Sequence, residues 1–410
     1  MRILCLSNFY PPASRGGYDQ WCQEVSDGLR SKGQAVEVLT SDYGKSTLQT
    51  SDPAWVHRSL HLEMELASLK NAFRFFAQRT QRERDNVKRV RDFIERFKPD
   101  VALVWGMWNL HYSIPALIEQ QMSGRVAYYM GDYWPTLPNQ FENYWNAPPR
   151  SVFTGLPKLL LKPLARAILA REKRPDVKCE HVLFPSVFMQ NEFKKKGIVP
   201  PHTQIVYGAV DTSPYTVGRK KQGAGLSLLY IGRLSQEKGV HTAIQAVGYL
   251  VRERGFKDIK LTIVGEGEPE YEAHLHQLVM QEEAAAFVTF VSAQPREALP
   301  ALYQQADVFL FTSIWTEPFG RVIVEAMASG LVVIGAPVGG AAEIMKENEN
   351  ALIFTPGDAV SLARQVQRLI ESPALREQLA NGGRETAVSR FDIRRMTAEI
   401  ETYLQSLVKL

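Results

Sequence analysis

The chain has 410 residues, 45% of them apolar and 22% charged, with a formal net charge of +4. That length exceeds what a single hydrophobic core fills, so two domains or three are expected, in an ordinary soluble globular composition. Cys5, Cys22 and Cys179 lie far apart with no CxxC pair, which argues against a disulfide framework or a zinc site and for a reducing compartment. The opening MRILCLSNFYPP is too short an apolar run for a signal peptide. No stretch approaches the ~18 apolar residues of a spanning helix, so a cytoplasmic protein is expected.

In chain order, short apolar runs at Ile3–Leu6, Ala35–Leu39, Val101–Val104, Val126–Tyr129, Val182–Phe184 and Ile205–Tyr207 are predicted strands of the first half. Those of the second half are Leu226–Ile231, Leu261–Val264, Val288–Val291, Val308–Phe311, Leu331–Ile334 and Leu352–Phe354. Helical stretches between them give an α/β class with parallel sheets. Between Tyr18 and Lys32, Trp21, Val25 and Leu29 recur at helical spacing, and Gly33 suits the C′ position. The pattern restarts near residue 226, after the polar, Gly-containing TSPYTVGRKKQGAG at 212–225, which reads as a linker. Domains are expected at 1–215 and 216–389, with a last helix at 390–410 packing back towards the first. Two such sheets create a cleft, and ligands of doubly wound folds bind beyond the carboxyl ends of the strands.

Four loops at strand ends carry the candidate chemistry. In SNFYPPASRGGYDQ, Gly16 and Gly17 precede a helix and allow close backbone approach to an anion or a sugar, or form a flexible turn. The loop lacks G-x-G-x-x-G, which disfavours a dinucleotide site. In YIGRLSQEKGV, Arg233 and Lys238 lie between Gly232 and Gly239. Two fixed cations at a sheet's mouth suit a diphosphate, although a solvated basic loop has the same composition. In SIWTEPFGRVIVEAMASG, a helix is predicted from near Phe319, with Glu317 before it and Glu325 two turns in. On an ideal helix i and i+8 point to nearly the same side, and Gly320 leaves the helix start open. Glu325 sits among apolar neighbours, where a carboxylate needs partners. The fourth loop, GAPVGGAAEI, reads alone as a capping arrangement around Gly339, Gly340 and Glu343.

These pieces in this order resemble the retaining glycosyltransferases of family 4: YPPASRGG, YGAVD, GRLSQEKG, IVGEGEPE, EPFGRVIVEAMASG, GGAAE and ENALIFTPGD. The resemblance covers nearly the whole chain and implies a GT-B fold, two Rossmann-like doubly wound domains facing a central cleft. It implies that Glu325 accepts from the ribose hydroxyls of a nucleotide-sugar donor. Glu317 would bind hydroxyls of the transferred sugar, with the Phe319–Gly320–Arg321 backbone nearby. Arg233 and Lys238 would clamp the diphosphate, Gly16 and Gly17 would approach the donor from the first domain, and Gly265 lies in the stretch near the base. The family commonly has a His-Asp pair where this chain reads YYMGDYWP, so Gly131 stands for the His and Asp132 remains. Asp132 becomes the polar candidate of the first domain; His111, in WGMWNLH, is the nearest histidine after an earlier strand.

The resemblance implies transfer to an acceptor hydroxyl with retention, needing neither metal nor cofactor, in polysaccharide, glycolipid or envelope glycan synthesis. A GT-B epimerase or phosphorylase and a non-catalytic sugar-binding homologue are the rival readings. Positive charge concentrates in two segments: residues 70–98 hold ten Lys/Arg against four Asp/Glu, and residues 150–174 seven against one. Leu160, Leu161, Leu164 and Ile168 fall to one side of the second, which either packs that side inward or lies on an anionic membrane at the inner face. No nucleic-acid module is recognised, so none is expected as a partner.

Overall fold

A computed structural model describes residues 1–48, 51–65, 71–148, 152–217 and 225–409. Strands buried on both faces read as unbroken apolar runs, and VALV at 101–104 and VAYY at 126–129 are buried at every position. The chain divides into two compact units.

The first unit comprises Met1–Pro185, Gln190–Val206 and Thr397–Leu410. Its strands are β1 (Arg2–Ser7), β2 (Ala35–Ser41), β3 (Val56–Leu60), β4 (Val101–Val104), β5 (Val126–Tyr129), β6 (His181–Phe184) and β7 (His202–Ile205). They form a parallel sheet in the order β3-β2-β1-β4-β5-β6-β7. The helices are α1 (Gly17–Ser31), α2 (Asn71–Ala77), α3 (Arg79–Phe97), α4 (Ser113–Gln121), α5 (Gln140–Asn146), α6 (Val152–Arg171) and α7 (Val187–Lys195), the last belonging to this unit from Gln190 onward. α1 buries Trp21, Cys22, Val25 and Leu29. Gly33 follows it at φ 82°, with the Gln34 N–H bonded back to the Leu29 carbonyl at 3.1 Å, the left-handed stop its sequence predicts.

Three expectations shift. β3, VHRSL, has no apolar run because Arg58 is one of its buried residues, its charge met by Asp52. β7 is HTQI rather than Ile205–Tyr207; as an edge strand it is largely exposed and needs no apolar sequence. In the segment 150–174, Leu160, Leu161 and Leu164 of the predicted stripe do not pack inward, whereas Ile168 does. α6 rests on α2 and α5 through a small core of Phe75, Phe141, Trp145 and Ala165, with Ile168 and Leu169 against it. Leu160 and Leu164 remain exposed at 73% and 55%.

The second unit comprises Ser186–Met189 and Tyr207–Met396. β8 (Leu226–Ile231), β9 (Ile259–Val264), β10 (Val288–Val291), β11 (Val308–Phe311), β12 (Val332–Gly335) and β13 (Ala351–Ile353) form a parallel sheet in the order β10-β9-β8-β11-β12-β13. Its helices are α8 (Val240–Arg252), α9 (Pro269–Gln281), α10 (Leu299–Tyr303), α11 (Arg321–Ala328), α12 (Ala359–Glu371) and α13 (Pro373–Arg390). α14 (Ile393–Val408) follows a break around Phe391 and is the predicted last helix, beginning at Ile393 rather than at residue 390. From Thr397 onward α14 belongs to the first unit, where Glu401 accepts from Lys32 at 2.8 Å and Gln34 at 2.7 Å. Of the predicted linker, residues 218–224 lie outside the described residues. Among the described residues no helix is long and apolar enough to cross a membrane.

Candidate active site

Strand order reverses between β8 and β11 in the second sheet, and a ligand site is expected where neighbouring loops part at such a point. The loop after β8 carries Arg233 and Lys238; the loop after β11 carries Ser313 and Glu317. The reversal sets them side by side. Lys238 ends a short 3₁₀ turn before Gly239, and its Nζ donates to Glu317 Oε1. Ser313 Oγ donates to the same oxygen at 3.1 Å. Arg233 extends into solvent, and no carboxylate pairs with it among the described residues. The site thus offers one uncompensated guanidinium beside an ammonium–carboxylate pair. That combination suits a ligand with both a diphosphate and hydroxyls.

The direction of Glu317 is not set by helical periodicity. α11 begins at Arg321, not near Phe319, so Glu317 lies in the preceding loop and i, i+8 geometry does not apply to it. Its backbone is held by the glycine pair after β12. Gly340 N–H donates to the Glu317 carbonyl at 2.7 Å, and a Cβ on Gly339 would fall 2.3 Å from that carbonyl oxygen. Glu343, just beyond, caps a different helix, accepting from the Val187 and Phe188 amides at the start of α7.

Gly320 takes φ 129° at the N-cap of α11, in the region that favours glycine, and the first turn of the helix aims its amides outward. The Phe319 side chain is turned away, buried edge-on against Phe391 with ring centroids 5.6 Å apart. Arg321 Nη1 donates to the Ala209 carbonyl at 3.2 Å, which gives this side chain an anchoring task. Only the backbone of Phe319–Arg321 is therefore left for a ligand. Glu325 is buried at 4% exposure, and the Tyr303 hydroxyl donates to its Oε2 at 3.0 Å. Burial and that carboxylate together hold the Tyr303 phenol well above its ordinary pKa, so it remains a donor. Oε1 of Glu325 has no partner among the described residues. Gly265, at φ 151°, is demanded by its neighbour: a Cβ there would lie 1.9 Å from the Gly232 carbonyl oxygen.

In the first unit, Gly16 precedes α1 in extended backbone, and a Cβ on it would meet nothing within 4 Å. Internal packing therefore does not require this glycine. The amides of the loop are already engaged: Asp19 accepts from Arg15 N–H at 2.7 Å and also from Gly16. An anion would have to compete with that carboxylate. Asp132 follows β5 and accepts weakly from the Trp134 amide at 3.4 Å. Desolvation, with the Asp19 charge nearby, lifts Asp132 to about 7; desolvation lifts Asp19 itself to about 6.

Tyr18 is the residue that sequence reasoning missed. Its ring stands where a side chain at 131 would go, 2.5 Å from a Cβ built on Gly131, and its hydroxyl donates to the Tyr129 carbonyl. The replacement of a histidine by Gly131 is the sequence signal that something else fills that volume. His111 stands apart from this group. Its Nδ1 lies 3.1 Å from the Ser113 amide and 3.0 Å from Glu83, and burial lowers its pKa to about 4.

Two parallel Rossmann-like sheets, each with its own strand-order reversal, define the GT-B class. The model of "Glycosyltransferase Family 4" matches residues 15–214 and that of "Glycosyl transferases group 1" matches 219–386. The chain belongs to this glycosyltransferase family. It is 32% identical over 220 residues to spore coat protein SA of Bacillus subtilis, covering 48% of this chain and 57% of that one. It is 31% identical over 207 residues to glycogen synthase of Mycobacterium tuberculosis, covering 49% and 48%. These matches span about half the length of the curated relatives. Among solved structures, Anabaena HepE in complex with UDP superposes at a TM-score of 0.69 with 21% identity, covering 99% of this chain and 100% of that one. HepE is also known with UDP-glucose.

Proposed function

We propose that this protein transfers a sugar from a nucleoside-diphosphate sugar to an acceptor hydroxyl, with retention of anomeric configuration, in polysaccharide, glycolipid or envelope glycan synthesis. The observation that carries this reading is the pairing of Lys238 with Glu317 at the β8/β11 reversal, on the loop that also carries the exposed Arg233. The UDP and UDP-glucose complexes of HepE and the polysaccharide chemistry of glycogen synthase support it.

Cleaving the bond between the anomeric carbon and the diphosphate moves negative charge onto the leaving oxygen. Catalysis requires that this charge be held better in the transition state than before it. Arg233, Lys238 and the α11 amides form a preorganised anion site for that purpose. Glu317 takes hydroxyls of the transferred sugar and Glu325 takes the ribose hydroxyls. In the first unit, Gly16, Gly17 and Asp132 are the positions that the family resemblance singles out. The acceptor hydroxyl attacks from the face the diphosphate leaves, and the departing phosphate takes its proton. A glycan or lipid-linked acceptor, met by a cytoplasmic enzyme peripheral to the inner membrane face, fits the basic segments 70–98 and 150–174.

Incubation with UDP- and GDP-sugars, with and without candidate acceptors, tests the activity. Acceptor-dependent release of nucleoside diphosphate and a retained linkage by NMR are expected. An inverted linkage rules the scheme out. An epimerised donor, a phosphate-dependent reaction or no turnover at all would favour the rivals.

A further inference from the structure

α6 packs through Ala165, Ile168 and Leu169 and leaves a second apolar stripe outward. Gly155, Lys158 and Ala165 turn towards α2 and α5, and even Lys158 is drawn in, its Nζ bonded to the Ala147 carbonyl at 2.9 Å and 4.4 Å from the Tyr144 ring. Leu160, Leu164 and Ala167 fall on the opposite stripe, at i, i+4 and i+7. Of the fourteen exposed large apolar side chains among the described residues, six lie on α2 and α6: Phe73, Phe76, Leu159, Leu160, Leu161 and Leu164. Such a concentration on helices that share one small core marks a contact surface rather than scattered exposure.

The charge beside it says what the surface contacts. Arg166, Arg171 and Lys173 are exposed along and just after α6, and the only acid of the segment, Glu172, is paired with Arg79. A second protein would have to cover leucines flanked by cations that, among the described residues, no carboxylate neutralises; Arg166 is held only by the neutral Asn146 side chain. An anionic lipid surface meets both at once, taking the leucines into its acyl boundary and the cations among its headgroups. We propose that the outward face of α6, with Phe73 and Phe76 of α2, docks this protein on an anionic phospholipid bilayer. This rests on the peripheral reading above and names its contact surface; it does not depend on which sugar is transferred.

Flotation with phosphatidylcholine vesicles, with and without one-third phosphatidylglycerol, tests it. The full chain is expected to float with the anionic vesicles, at least about tenfold less with the neutral ones, and to lose binding as salt rises. The double variant Leu160→Ser with Leu164→Ser changes only exposed positions and should lose at least about tenfold of the bound fraction, while its thermal shift with UDP equals wild type. Absence of flotation at low salt overturns the proposal, as does a double variant that floats like wild type. A dimer in solution that the double variant splits, without vesicle binding, would assign the face to a second copy instead. Loss of the UDP shift in wild type with flotation intact would count against the donor reading and leave the docking surface standing.

Discussion

Lys238 and Glu317 hold each other: the ammonium donates to the carboxylate oxygen that Ser313 also reaches at 3.1 Å. The pair comes from loops 79 positions apart in sequence, joined because β8 and β11 are neighbours across the point where strand order reverses. In the proposed scheme the cation assigned to the diphosphate is paired, in the free protein, with the carboxylate assigned to the sugar. Removing the carboxylate should therefore separate two effects. Glu317→Gln should bind UDP as tightly as wild type or a few-fold better, because Lys238 is released. Transfer should fall by roughly 10- to 150-fold, the range of a hydrogen bond to a charged group. Calorimetric titration of UDP and steady-state rates check the two arms.

Arg233 differs because no ion pair among the described residues restrains it and the residue is exposed. Arg233→Ala should leave unfolding free energy within about 0.5 kcal/mol of wild type. It should cost about 10²–10³ in kcat, by analogy with loss of an oxyanion-hole donor. Thermal unfolding and turnover on one preparation distinguish this from a folding defect.

Tyr18 and Gly131 make a coupled pair. Gly131→Ala places a methyl 2.5 Å from ring carbons of Tyr18 and should destabilise by about 1–3 kcal/mol, as overpacking does. In the Tyr18→Ala background the added methyl should cost almost nothing, giving a coupling of about 1 kcal/mol or more in a double-mutant cycle. Additive losses would mean that the ring does not own that space.

Asp132 makes stability depend on pH with a defined sign. Its folded-state pKa is raised from 3.8 to about 7, so between those values the folded chain keeps a proton that the unfolded chain has released. Stability from this group is present at low pH and is lost as pH rises towards 7. His111, lowered from 6.5 to about 4, acts oppositely, losing stability as pH falls through that window. The Asp132→Asn variant isolates the first effect. Urea unfolding should show variant minus wild-type stability increasing from about pH 5 to about pH 8.

Much of the fold is legible in the sequence because parallel strands buried on both faces must be continuous apolar runs, as VALV and VAYY are. What the sequence hides is wherever a polar residue is buried by a partner or an apolar one is left exposed. β3 is masked by Arg58, which only Asp52 makes tolerable inside. Leu160, Leu161 and Leu164 of α6 look like a core-facing stripe, yet the helix rests on Ala165, Ile168 and Leu169. At the site, Glu325, Lys238 and Arg233 stand out by composition and motif. Pairings such as Lys238 with Glu317, Glu325 with Tyr303 and Asp19 with the glycine loop depend on which loops meet, and a one-dimensional pattern does not encode that. Tyr18 carries no motif of its own and shows only through the gap at Gly131.

The most direct measurement is a thermal-shift titration with nucleotide sugars on wild type, Arg233→Ala and Lys238→Ala. A donor that binds only the folded chain should raise wild-type stability by roughly 2.7 kcal/mol at a hundredfold excess over its Kd, and both variants should lose most of that gain while unfolding normally alone. Equal shifts in all three proteins, or none in wild type with any nucleotide sugar, would contradict the assignment of these two cations to a diphosphate.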